Sequence, residues 1–195
     1  MLMTKANELK LAEINKEMAP WTGISTMGIS NPRKVSGNLY RHQEATRIIL
    51  MDYGFFDRIL HKAAVVHDCV EDIEGFNHRL IIDCDHDGAE VYKLVLEVSR
   101  RAGESKPDFL SRIYNEGSDR ACLIKSADRI ANLSECQFLF DRAFISKLCD
   151  ESERYVIPAA ERVCLDMVRE ISDLIGHARK LLPIIEELYK KGELK

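Results

Sequence analysis

The chain has 195 residues, of which 46% are hydrophobic and 31% charged, a composition typical of one soluble globular domain. Its formal net charge of −4 argues against a general nucleic-acid-binding protein, for which a broad basic surface is expected. No apolar run approaches the roughly 18–20 residues of a membrane span, and the start of the chain lacks the apolar core of a secretory signal. We therefore expect no contact with a membrane.

Six cysteines are scattered singly, with no Cys-x-x-Cys pair. An even number of cysteines in a small secreted protein suggests disulfides, whereas isolated cysteines in a chain of this length favour reduced thiols packed in a core. We therefore expect a cytoplasmic protein. The pattern does not indicate an oligomeric state.

Helical spacing of apolar residues dominates the chain. Apolar residues recur at i, i+3, i+4 or i+7 over the segments 41–51, 57–72, 90–101, 119–134 and 150–190. Loops are predicted where helix breakers cluster, at APWTG, NPRKVSGN, GESKPD and NEGSD. Pro158 predicts a late start or a kink in the last segment, and Pro183 predicts a break before its final turn. Strand signals are weak, so we predict an all-α fold with one domain over residues 1–195.

The segment 65–72, VVHDCVED, places one imidazole and three carboxylates at the end of an apolar run. Ionised carboxylates are rarely buried unless they are paired or bind metal. The segment is therefore either an exposed helix end or the floor of a metal site. On a continuous helix His67 would lie over Glu71, and Asp68 over Asp72.

Two further candidate ligands lie elsewhere in the chain. Asp128 sits in the largely apolar helical segment 119–133 and needs a partner, either a divalent cation or the neighbouring Lys125 or Arg129. His42 precedes another apolar helical stripe, where a lone histidine is more often a hydrogen-bonded core residue than a ligand. Two imidazoles with two carboxylates form a mixed N/O set that suits Mn, Fe or Zn better than Ca or Mg.

The order His…His-Asp…Asp in a helical chain resembles the HD superfamily of metal-dependent phosphohydrolases. HDCVED resembles the HDxxED element of the guanosine-alarmone hydrolases, the RelA/SpoT hydrolase domain and its stand-alone small relatives. Arg33-Lys34 precedes His42 with the spacing of a basic pair in that family, although these bases could also belong to a solvated helix face. KSADRIAN, LVLEVSR and YVIPAAERV are similar to three further family elements. The resemblance covers about residues 31–165, and helices within 150–195 are expected to pack on this domain.

The resemblance implies a role for each matching residue. The expected ligands of one divalent metal ion, usually Mn²⁺ in this family, are His42, His67, Asp68 and Asp128. The acidic pair that positions and activates the attacking water corresponds to Glu71 and Asp72. The expected substrate-binding residues are Arg33 and Lys34 at the guanosine, Asn132 at the nucleoside and, as a further candidate, Arg142.

The implied reaction is hydrolysis of the 3′-pyrophosphate of (p)ppGpp to GDP or GTP and pyrophosphate, with this nucleotide as the partner. Two other interpretations stay open: an HD phosphohydrolase for another nucleotide or a pyrophosphorylated RNA end, and a non-catalytic nucleotide-binding regulator. The chain differs from the family at Gln43, where a proline is common, and at Ser134 and Glu135 after the last element. These positions flank the expected nucleoside pocket rather than the metal.

Overall fold

The computed structural model describes residues 4–35, 37–136 and 141–194. In chain order its helices are α1 (Lys5–Ser25), α2 (Leu39–Asp52), α3 (Arg58–Ala64), α4 (Cys69–Asp72), α5 (Arg79–Ile82), α6 (Gly88–Val98), α7 (Lys106–Glu116), α8 (Asp119–Glu135), α9 (Arg142–Glu151), α10 (Ile157–Glu161) and α11 (Leu165–Lys190). A 3₁₀ turn (Thr26–Ser30) follows α1, and a π-helical turn (Ser152–Val156) joins α9 to α10. These ranges contain no β-strand, which confirms the predicted all-α class. None of their helices is long and apolar enough to cross a membrane.

Helix α8 lies at the centre of the fold and packs against α2, α6, α10 and α11. Most of its 17 residues are buried, including the charged Asp128 and Arg129. Its start is fixed by Ser118, whose hydroxyl accepts a hydrogen bond from the amide of Ala121 (3.2 Å). This packing places Asp128 beside α2, the helix that carries His42.

The predicted helix over 57–72 is interrupted between α3 and α4. In a continuous helix the carbonyl of Ala64 would accept a hydrogen bond from the amide of Asp68. Here that carbonyl accepts from Nδ1 of His67 at 2.8 Å, so a side chain satisfies the end of α3. Asp68 is the N-cap residue that precedes α4, and its carbonyl accepts from the amide of Asp72 (2.9 Å).

Two predicted proline breaks are wrong. Pro20, in the APWTG segment, lies inside α1, and Pro183 lies inside α11. Packing holds both helices together beyond the proline. Trp21 is fully buried and its indole nitrogen donates to Asp85 (2.9 Å), while Ile185 is buried in the core after Pro183.

Other predicted boundaries agree more closely with the structure. The segments 41–51, 90–101 and 119–134 correspond to α2, α6 and α8. The last predicted segment is divided, with α11 beginning after an interruption at 162–164. Helices α1 and α7 and most of α9 lie outside the predicted helical segments.

The buried ammonium group of Lys62 links three parts of the chain. Its Nζ lies 2.6 Å from Glu17 on α1, 2.8 Å from Asp85 and 2.8 Å from Asp87. Burial alone would lower the pKa of Lys62, but these carboxylates raise it above its usual value. These ion pairs therefore connect α1 and α3 to the turn that precedes α6.

All six cysteines are free thiols. Cys69 is fully buried directly after Asp68, and its Sγ donates to Oε1 of Gln43 (3.3 Å). Burial raises the pKa of Cys69 to about 12. Gln43 also donates to the hydroxyl of Ser25 (3.3 Å), so a buried polar chain joins α1, α2 and α4 beneath the site.

Candidate metal centre

Two histidines and two aspartates from distant parts of the sequence meet in one cluster. His42 comes from α2, His67 and Asp68 from the turn before α4, and Asp128 from α8. One nitrogen or oxygen of each lies within 4.8 Å of the corresponding atom of the other three. The rings of His42 and His67 are tilted by 54° with centroids 5.5 Å apart. The cluster can hold a metal ion, and its members are the four residues predicted as ligands.

The ring nitrogens of His67 have different roles. Nδ1 faces the carbonyl of Ala64 and must carry the proton of that hydrogen bond, because a carbonyl oxygen only accepts. Nε2 of neutral His67 therefore presents a lone pair towards Asp68, whose Oδ2 lies 3.2 Å away. This nitrogen is buried without a hydrogen-bond partner among the described residues. A ligating histidine fixed by a hydrogen bond through its other nitrogen is the usual arrangement at metal sites, so the residues fit a metal.

Asp128 is held by three side chains. Its Oδ1 lies 3.0 Å from Nε2 of His42 and accepts from the amide nitrogen of Asn132 at 2.6 Å. Its Oδ2 lies 2.6 Å from Nζ of Lys125, so the ion pair considered from the sequence is present within the cluster. Burial alone would raise the pKa of Asp128, but Lys125 and His42 lower it well below its usual value.

The charges of the cluster favour a cation. Burial alone would lower the pKa of His67, yet the carboxylates of Asp68 and Asp128 raise it. Burial alone would raise the pKa of Asp68, yet His67 lowers it. Both aspartates are therefore ionised in a largely buried site, where an ion that pairs with them replaces lost solvation.

The predicted acidic pair lies in α4, where the two consecutive side chains line different cavities. Asp72 lines the cavity beside the metal cluster. Glu71 faces a different cavity and accepts a hydrogen bond from the backbone amide of Arg100. Burial, followed by repulsion from Asp68, raises the pKa of Asp72 above its usual value, and burial and Asp68 also raise that of Glu71. The continuous helix on which Glu71 was expected to lie over His67 is absent.

A chain of hydrogen bonds runs from Arg33 to the cluster. Arg33 donates to Oδ1 of Asn132 (2.6 Å), and Asn132 donates in turn to Asp128. The other arm of Arg33 pairs with Glu135 at 2.6 Å. The two predicted substrate-binding residues Arg33 and Asn132 are thus brought to the cluster, where they contact each other.

The remaining predicted substrate-binding residues, Lys34 and Arg142, form ion pairs with acids outside the metal cluster. Lys34 pairs with Asp141 (2.8 Å), and its Nζ lies 4.6 Å from the centre of the Phe144 ring. Arg142 pairs with Glu186 of α11 at 3.2 Å and does not line the cavity beside the cluster.

The cavity beside the cluster has a volume of about 210 Å³. Sequence patterns did not single out Lys106, which lines this cavity from the first turn of α7 and lies 3.0 Å from Glu151. Lys125 and Arg129 complete a cationic wall, and the rings of Phe109 and Phe144 add apolar surface. The cavity therefore combines a candidate metal site with groups suited to phosphate. No protein-family model matches the chain, and a search of curated proteins finds no match.

Proposed function

We propose that the protein is a metal-dependent phosphohydrolase of the HD type that removes the 3′-pyrophosphate of guanosine alarmones, giving GDP or GTP and pyrophosphate. The observation that carries this proposal is the cluster of His42, His67, Asp68 and Asp128 with an unpartnered, buried Nε2 on His67. These four residues would hold one divalent ion, with Mn²⁺ as the expectation from the family resemblance. Such an ion supplies Lewis-acid stabilisation of a phosphoryl oxygen and lowers the pKa of a water molecule.

The chain supplies the remaining groups that the reaction needs. Asp72 is the acid outside the cluster that lines the same cavity, and its raised pKa makes its carboxylate a stronger base for a water proton. Lys106, Lys125 and Arg129 lie on the wall where phosphate charge would be placed. Preorganised cations in a partly buried cavity stabilise charge that develops on phosphate oxygens more effectively than water does.

A second candidate is the same hydrolysis on another nucleotide or on a pyrophosphorylated RNA end. It is favoured by the partners of the basic pair that resembles the guanosine contact. Arg33 is neutralised by Glu135, and Lys34 by Asp141. Neither side chain can recognise guanosine without leaving its ion pair. The metal chemistry is therefore better supported than the identity of the nucleobase.

The test is pyrophosphate release from ppGpp with Mn²⁺, beside reactions with EDTA and with a panel of ordinary nucleotides. We expect release from ppGpp that EDTA abolishes and that Asp128→Ala reduces to background. Asp173→Ala, which removes an exposed acid on α11, is the matched control and should keep full activity. Turnover of another nucleotide but not of ppGpp would support the second candidate, and no metal-dependent turnover of any nucleotide would overturn both.

A further inference from the structure

A second, larger cavity of about 1020 Å³ adjoins the metal cavity. Glu71 and Ser105 line this groove, whereas their chain neighbours Asp72 and Lys106 line the metal cavity. Two separate segments thus pass from one cavity to the other. We call the larger cavity the Arg100 groove, after a residue that lines it together with Lys93 and Arg101.

The Arg100 groove carries cations that the described part of the chain leaves without a hydrogen bond or ion pair through their side chains: Lys93, Arg100 and Arg101. The acids of the groove are mostly engaged. Glu104 pairs with Arg112 at 2.7 Å, and Glu97 accepts from the hydroxyl of Ser118 at 2.9 Å. With four cations and three carboxylates in its lining, the groove has one formal positive charge in excess, in a protein whose formal net charge is −4.

The loop that carries Arg100 and Arg101 is fixed in shape. Arg112 donates to the carbonyls of Glu97 and Ser99, both at 2.9 Å, and pairs with Glu104. Glu104 also accepts from the backbone amide of Arg101 (2.9 Å). The two arginines are thus presented on a preformed loop, which reduces the entropy lost when a ligand binds.

The metal cavity alone is too small for the proposed substrate. Pockets for drug-sized ligands usually measure about 300–1,000 Å³, whereas this cavity has about 210 Å³. A nucleotide with pyrophosphate groups on both arms must therefore extend beyond the metal cavity. The Arg100 groove is lined by the chain neighbours of two residues of the metal cavity, and the partly exposed Leu96 in its lining offers apolar surface beside the cations.

We propose that the Arg100 groove binds a second phosphate group of the substrate, remote from the metal cluster, through Arg100 and Arg101. For a guanosine alarmone this group is the 5′-diphosphate. The inference rests on the proposed function, because it concerns the arm of the substrate that is not hydrolysed.

The test compares two substrates in the wild type and in an Arg100→Gln/Arg101→Gln variant. One substrate is ppGpp, and the other is guanosine 3′-diphosphate, which has a free 5′-hydroxyl. We expect the variant to raise KM for ppGpp roughly 10–100-fold, the effect of losing one or two charge-assisted hydrogen bonds. The kcat for ppGpp and the KM for guanosine 3′-diphosphate should change by less than about 3-fold. Arg79→Gln/Arg169→Gln, at two exposed arginines outside the groove, is the control with the same change in charge.

Equal losses with both substrates, or an equal loss in the control variant, would overturn the proposed subsite while leaving the hydrolysis in place. If the wild type hydrolyses neither substrate, the proposed reaction is overturned, and calorimetric titration with GDP decides the subsite separately. GDP binding that Arg100→Gln/Arg101→Gln weakens and the control does not would support the groove as a phosphate site. Unchanged or undetectable GDP binding would overturn it.

Discussion

Asp128 is the residue at which the metal cluster meets the surrounding hydrogen bonds. Its two oxygens contact His42, Asn132 and Lys125, and its side chain is almost fully buried. Lys125 balances one negative charge, while Asp68 adds a second carboxylate to the same small volume. A divalent ion would more than offset the remaining negative charge, and its binding would therefore stabilise the folded chain.

Mn²⁺ is expected to raise the free energy of unfolding by about 2.7 kcal/mol at a free concentration of 100 times its Kd, because only the folded chain presents all four ligands together. Urea titrations with Mn²⁺ and with EDTA measure this difference. Asp128→Asn keeps the side-chain shape and should abolish the increment. Asp173→Asn, at an exposed position, should retain it. The same increment in Asp128→Asn as in the wild type would exclude this cluster as the binding site.

Glu135→Gln is expected to lower KM for ppGpp about threefold to tenfold, because the charge that neutralises Arg33 is removed and the guanidinium becomes available to an anionic ligand. Steady-state kinetics of the variant beside the wild type give the effect. Glu161→Gln changes the charge equally at an exposed position of α10 and serves as the control. A KM that stays the same or rises in Glu135→Gln alone would show that Arg33 does not meet the substrate.

Residue types marked the four members of the metal cluster as candidates, and the family resemblance implied them as one ligand set. Neither was sufficient to predict the partners of the basic pair. Glu135 lies 102 positions from Arg33, and only the packing of α8 brings them together. The sequence could not predict the free Nε2 of His67 either, because the hydrogen bond made by Nδ1 depends on where α3 ends.

At the level of helices, the interruption between α3 and α4 removes the continuous helix that was predicted to join His67 to Glu71. Apolar periodicity predicts that a helix is present, but a side chain that satisfies a terminal carbonyl can end it without a glycine or proline. His67 does this at Ala64. Within α4, consecutive residues point about 100° apart around the axis, so Glu71 faces the Arg100 groove and Asp72 the metal cavity.

Pro183→Ala is expected to raise the free energy of unfolding by about 1–3 kcal/mol, because an interior proline costs a helix about 3 kcal/mol and the greater freedom of the unfolded alanine chain offsets part of the gain. Chemical denaturation measures the change. Pro107→Ala is the control, since Pro107 lies in the first turn of α7, where a missing N–H costs nothing. It should be neutral or slightly destabilising. A Pro183→Ala protein no more stable than the wild type would contradict the expected strain in α11.

The proline errors have a common physical cause. The rule that proline ends a helix considers only the local sequence. It omits the stabilisation that the helices gain when Trp21 and Ile185 are buried in the core. The start of α7 was missed for a related reason: Pro107 was predicted to be a loop residue, but it lies in the first turn of this helix, where proline is tolerated.

At the scale of the whole molecule, Lys62 couples segments that are far apart in the sequence. Lys62→Met should lower the free energy of unfolding by about 3 kcal/mol, the lower end of the range for breaking a buried ion pair, because Glu17 and Asp85 keep some contact with solvent. Thermal and urea unfolding measure the loss. Lys180→Met, at an exposed position of α11, should change stability by less than about 0.5 kcal/mol. A similar small change for Lys62→Met would show that its carboxylate partners are adequately solvated without it.

The thiol of Cys69, next to the metal cluster, can report chemically on opening of the site. Its thiol is buried next to Asp68, and its pKa of about 12 leaves very little thiolate at neutral pH. A thiol reagent can therefore modify it only when α4 opens away from α2, so the labelling rate measures how often the site opens. Saturating Mn²⁺ should slow labelling of Cys69 and leave that of the partly exposed Cys164 unchanged. The labelling rate of Cys69 thus reports how strongly metal binding suppresses local opening of the fold around the site.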